Sequence, residues 1–191
     1  MAAEERKTIR LDDPRALRAY AHPLRLSLIG MLRRNGPMTA TQCAAVLDEN
    51  VPNCSFHLRQ LAKYGLAERA PAADGRERPW QATATSTSWS DDSDDPEARI
   101  AADQLNAALL RQYLRRAEAY LEVRGEEPAE WRAAAGFGDE MIYVTAEQLV
   151  ALTEQVEAML EPYRDRAARA AGSRPVTIVQ MAIPTPEDGA P

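Results

Sequence analysis

Asn50-Val51-Pro52-Asn53-Cys54-Ser55-Phe56-His57-Leu58-Arg59-Gln60-Leu61-Ala62-Lys63-Tyr64-Gly65 is the stretch that decides the fold. Asn50 is a helix-capping residue and Gly65 a helix-ending one. Cys54, Leu58 and Leu61 recur at i, i+4 and i+7, so the spacing predicts a helix over about Val51 to Tyr64 with the thiol and leucines turned inward. At 100° per residue the opposite side carries Phe56, Arg59, Gln60 and Lys63, with Asn53, Ser55 and His57 towards the flanks. That surface suits DNA. Gln bonds an adenine edge bidentately, Arg a guanine edge, and a phenyl ring packs on a thymine methyl, while Lys63 and the Ser55 hydroxyl suit phosphate oxygens.

Working outward, Asp13-Pro14 supplies a cap and a first-turn proline for a short helix in which Leu17 and Tyr20 are packing residues. Pro23 restarts the chain after His22, and Leu24, Leu28, Ile29 and Leu32 carry a second helix to the stop at Asn35-Gly36-Pro37. Thr39 with Gln42 forms a capping-box pattern, and Ala40, Ala44 and Leu47 give the third helix a small-residue inner face. Its start, near Thr39 and Thr41, can offer backbone N–H groups to a phosphate. After Gly65 the period changes. Leu66–Ala70 and Arg78–Thr83 flank a turn containing Asp74-Gly75, which reads as a β-hairpin, with Pro79 marking an edge strand and Arg69, Arg76 and Arg78 around the tip. Helix, helix, short helix, turn, polar-faced helix and hairpin is the order of a winged helix-turn-helix.

Four pieces of this stretch resemble a known family. Ala21-His22-Pro23-Leu24-Arg25-Leu26, Asn53 to Leu61, Gly65-Leu66 and Gly75-Arg76-Glu77-Arg78-Pro79-Trp80 are similar to the ArsR (arsenic-repressor-like) regulators, particularly actinobacterial members with a long C-terminal extension, over roughly residues 11–125. The resemblance implies a homodimeric DNA-binding regulator that releases or remodels its operator complex when a signal arrives. Two departures argue against metal sensing. The family's Cys-x-Cys is reduced to Cys43 between Gln42 and Ala44, and the helix after the linker lacks the histidines of the family's other metal site.

The chain has 191 residues, of which 45% are hydrophobic and 27% charged, ordinary globular usage. Its net charge of −6 averages two unlike halves: residues 1–88 carry 13 Lys and Arg against 9 Asp and Glu, and residues 89–191 carry 10 against 20. A basic half joined to an acidic one fits nucleic-acid binding at the N-terminal end. No membrane span or signal peptide is evident, so a cytoplasmic protein is expected. Cys43 and Cys54 are too few for a disulfide scaffold and read as buried thiols. One histidine beside one cysteine falls short of a zinc site, so no metal and no cofactor are expected.

Residues 86–98, from Ser86 through Asp91-Asp92-Ser93-Asp94-Asp95-Pro96, read as an acidic linker after a DNA-binding domain at 11–85. From Ile100 to Val123 a long helix bears Leu105, Leu109, Leu110, Tyr113, Leu114, Ala117, Tyr120 and Leu121, a stripe that wants a partner helix. The expected dimer interface joins Leu17 and Tyr20 to Leu105, Leu109, Tyr113, Leu114 and Tyr120. Further on, a short helix holds Trp131, Met141 to Val144 reads as a strand, Thr145 caps a helix that Pro162 disturbs, and Val176 to Ile183 reads as a second strand. The region 99–183 therefore predicts dimerisation plus a small β-α-β unit, with Trp131, Phe137, Met141 and Tyr143 as candidate pocket lining and 184–191 as a loose tail.

No phosphate loop, nucleophile elbow or metalloprotease motif is present, so the chain does not read as an enzyme. The fold expected is mainly α with a small β component. The function expected is a homodimeric repressor of the ArsR type on double-stranded DNA, without a metal site. A winged-helix protein-interaction module, and a regulator sensing a small-molecule effector through its C-terminal region, are the alternatives.

Overall fold

The structure, a computed structural model, describes residues 8–71, 78–164 and 169–185. They fall into two compact units, 1–136 and 137–191. The first contains β1 (Thr8–Arg10), α1 (Pro14–Tyr20), α2 (Pro23–Asn35), α3 (Ala40–Leu47), α4 (Val51–Lys63), β2 (Ala67–Arg69), β3 (Trp80–Ala82), β4 (Ser86–Ser88), α5 (Pro96–Val123) and α6 (Ala129–Ala134). This is a mainly α-helical fold with a small β component and one long helix.

The capping signals act as read. The Asp13 carboxylate accepts from the Arg15 N–H at 2.8 Å, Thr39 and Gln42 form a reciprocal box, and the Asn50 side chain accepts from the Asn53 N–H at 2.8 Å. Each such cap contributes about 1 kcal/mol. The three-residue turn between α3 and α4 begins at Asp48, whose φ of 52° is left-handed, a conformation aspartate tolerates better than most residues. Beneath α4 lies the core. Leu58 and Leu61 meet Leu28, Ile29 and Met31 of α2, Leu17 of α1 and Leu105 of α5, all of them fully buried.

The hairpin pairs β2 with β3 antiparallel, Ala67 opposite Ala82 and Arg69 opposite Trp80. Its tip, including Asp74, Gly75 and Arg76, lies outside the described residues. A second ladder was not anticipated: β1 pairs with β4 in parallel, Thr8 opposite Ser86 and Arg10 opposite Ser88. Residues 86–98 therefore do not form a free linker. The Trp89 indole donates to Asn106 of α5 at 3.1 Å, and the Asn106 amide donates to Asp91 at 2.7 Å. Helix α5 also starts four residues before the expected Ile100, because Asp95-Pro96 repeats the Asp-Pro capping signal of α1, with the Asp95 carboxylate accepting from the Glu97 N–H at 2.9 Å.

The unit at 137–191 contains α7 (Ala146–Leu160), capped by the Thr145 and Gln148 box and ended by a single 3-10 turn at Glu161–Tyr163. The break expected at Pro162 falls in that turn. The β-α-β reading is corrected: Met141 to Val144 and Val176 to Ile183 form no ladder among the described residues. A lone apolar segment becomes a strand only by exchanging backbone hydrogen bonds with a neighbour, and here Tyr143 stands 92% exposed. Met141 and Phe137 are exposed too.

Candidate nucleic-acid interface

Helix α4 meets the core with one side and solvent with the other. Cys54, Leu58 and Leu61 are fully buried, whereas Phe56 is 48% exposed, Arg59 and Lys63 are exposed and Gln60 is half-buried. Arg59 donates to the Ser55 hydroxyl at 2.8 Å, one turn back, which holds the guanidinium along the helix. The Asn53 amide donates to Glu49 at 3.0 Å, and the Lys63 ammonium lies 5.5 Å from the centre of the Tyr64 ring.

His57 does not share that face. It is 7% exposed, and its ring stacks on His22 with centroids 4.3 Å apart. The Arg25 guanidinium donates to its Nδ1 at 3.2 Å, which leaves the proton of the neutral ring on Nε2. Burial pushes the His57 pKa down, and the charges of His22 and Arg25 push it the same way, against Glu49. Arg25 also donates to the Ala19 carbonyl, so one side chain ties the end of α1, the start of α2 and the middle of α4 together. Reading the sequence missed Arg25. An arginine in the first turn of a helix, two residues after its proline, carries no periodic signal, and only the fold brings it against residue 57.

Thr39 spends its groups on its own helix, the hydroxyl accepting from the Gln42 N–H and its N–H donating to the Gln42 side chain, while Thr41 is exposed on the first turn. On the wing, Arg69 lies with its guanidinium carbon 3.9 Å from the centre of the Trp80 ring and donates to the Arg78 carbonyl, a posture that stiffens the hairpin. Arg78 is exposed. Arg33 fastens the wing's far end to α2, donating to the Ala84 carbonyl at 3.1 Å and to Thr87 at 2.7 Å.

Among the residues expected at a dimer interface, Leu17, Tyr20 and Leu105 are buried inside the chain itself, where α1 lies along α5. Leu109, Tyr113 and Tyr120 are half-buried, and Leu114 is 57% exposed. The broad stripe of α5 is thus divided. Its N-terminal part, with Ala101, Ala102, Leu105 and Ala108, is covered by the chain, and Leu110, Leu114 and Leu121 remain in the open.

Residues 20–70 match the model of a helix-turn-helix domain. That span runs from the end of α1 through α4 to β2. No curated protein matches the chain. Similar solved structures include a transcriptional regulator from Thermotoga maritima, 10% identical, covering 78% of this chain and 83% of that one at a TM-score of 0.33. Wild-type MarR of E. coli in its apo form is 16% identical, with 77% and 87% covered at a TM-score of 0.32. A MarR family protein of Mycobacterium tuberculosis in complex with salicylic acid is 17% identical, with 76% and 85% covered at 0.30. The ArsR label suggested by the sequence is withdrawn: the family model that the chain matches is the general helix-turn-helix domain. No group of three or more His, Cys, Asp or Glu that could hold a metal occurs among the described residues, and no helix among them is long and apolar enough to cross a membrane.

Proposed function

We propose that the chain is a sequence-specific DNA-binding transcriptional regulator, a repressor that acts as a homodimer through residues 11–85 on DNA and α5 at the dimer seam. One observation carries the reading. Phe56, with Arg59, Gln60 and Lys63 around it, stands on the open side of a helix whose other side is wholly buried. In this reading Gln60 and Arg59 meet base edges, Phe56 a thymine methyl, and Asn53, Ser55, Lys63 and Thr41 the flanking phosphates. Arg78 and Arg76 serve the wing, with Arg69 holding it in place. His57 supports α4 from beneath.

Two copies joined along Leu110, Leu114 and Leu121 would set their α4 helices about one DNA turn apart, roughly 34–36 Å. Quantitative gel shifts test the groove assignment. Gln60→Ala lowers the preference for a selected site over random duplex, by the roughly 1–3 kcal/mol of a bidentate pair, whereas Lys63→Ala weakens both alike and lowers the salt slope by about 1. An unchanged specificity ratio in Gln60→Ala overturns the assignment, and binding with no sequence preference at all would favour a protein-interaction module. A ligand-responsive regulator is the accompanying reading, favoured by an arginine-lined cleft between α2 and α5.

A further inference from the structure

Arg34 of α2 and Arg115 and Arg116 of α5 line one cleft of about 260 Å³, with Ser27 and Gln112 beside them. This is just under the roughly 300–1,000 Å³ of drug-sized sites, room for a small ion or a single-ring molecule. No carboxylate lines the cleft, and among the described residues none of the three guanidiniums has an ion-pair partner. A β-carbon built on Gly30 would stand 3.3 Å from Nη2 of Arg116 and 3.7 Å from Nη1 of Arg34. Two like charges therefore lie over the same bare stretch of α2 backbone. Desolvation, and next the Arg116 charge, hold the Arg34 guanidinium below its ordinary basicity.

Gln112 adds a directional group. The residue is 6% exposed and lines the same cleft, and its amide has no hydrogen-bond partner among the described residues. A set of cations gathered without a counter-charge costs free energy. An anion with several acceptor oxygens offsets that cost and accepts from the amide as well. At 100° per residue, positions 112, 115, 116 and 119 lie on the side of α5 opposite 110, 114, 117 and 121. The cleft therefore stays open when a second copy covers the leucines.

We propose that this cleft binds a small oxyanion, with Arg34, Arg115 and Arg116 as charged donors and the Gln112 amide as the directional one. A carboxylate and a phosphate group both match the planar guanidinium fork. The proposal deepens the ligand-responsive reading and rests on it for any effect on DNA, but binding itself is measured without DNA, so the two fail separately.

The test is thermal unfolding of the full chain titrated with sodium phosphate and with sodium benzoate, each against sodium chloride at matched ionic strength. One oxyanion raises the midpoint saturably and chloride does not. A phosphate response points to a phosphorylated ligand and a benzoate response to a carboxylate. Arg116→Gln, Arg115→Gln and Gln112→Leu each weaken the apparent affinity about tenfold or more, whereas Arg111→Gln, on the same helix outside the cleft, leaves it unchanged. Without oxyanion, Arg116→Gln unfolds no earlier than the wild type, since a like charge has been removed. No response to either oxyanion up to about 10 mM, or an equal loss in Arg111→Gln, overturns the proposal. So does protection by duplex DNA alone that needs Arg115 and Arg116, which would make them backbone contacts.

Discussion

Arg25, His22 and His57 form a polar knot beneath the outward-facing side chains of α4, and its chemistry sets a pH dependence. Burial is the largest cause lowering the pKa of each histidine, with Arg25 acting in the same direction on both. Unfolded, both return to the ordinary value of 6.5. As the pH falls through 6.5 the unfolded chain takes up protons that the folded chain still refuses. Stability is thus fully present above 6.5 and is lost below it, down to the lowered folded-state values. The melting temperature, followed by circular dichroism from about pH 7.5 to about pH 5, should hold steady and then drop, and His57→Gln should flatten the drop. A midpoint that rises on acidification would contradict this. Arg25→Met leaves Nδ1 of His57 without its donor and should cost about 1–3 kcal/mol in denaturant unfolding.

At the scale of elements, the helices and their caps were legible because each is written locally. Asn50, Thr39 with Gln42, and Asp13-Pro14 satisfy backbone N–H groups within three residues of themselves. Asn50→Ala should therefore destabilise by about 1 kcal/mol while leaving the helical content of the folded chain unchanged. The β1 and β4 ladder was not legible, since three-residue strands 78 positions apart carry no periodicity of their own. The opposite error arose at Met141 to Val144 and Val176 to Ile183, where β-branched and aromatic composition suggested strands that find no partner. On α5 the apolar positions were visible, but not which of them α1 would cover. Leu110, Leu114 and Leu121 are the ones left open, so Leu114→Lys should shift a dimer towards monomer in sedimentation velocity at micromolar chain concentration. A sedimentation profile identical to that of the wild type would place the seam elsewhere.

At the scale of the whole molecule, the burial of Cys54, Leu58 and Leu61 and the exposure of Phe56, Arg59 and Lys63 follow the periodicity of α4, while His57 is buried. That residue was assigned to a flank, where 100° steps leave the side undecided, and the fold settled it by stacking the ring on His22. Arg25, Arg34 and Arg116 escaped notice for a related reason: each gains its meaning from a helix distant in sequence.

The most direct measurement is selection of bound duplexes from a random library by the wild-type chain and by Gln60→Ala. The wild type should enrich an inverted repeat with half-sites about one helical turn apart, and Gln60→Ala should lose base preference at the same position in both halves while keeping the spacing. Recovery of unenriched duplexes by the wild type, or an identical motif from both proteins, would contradict the assignment of α4 to the major groove.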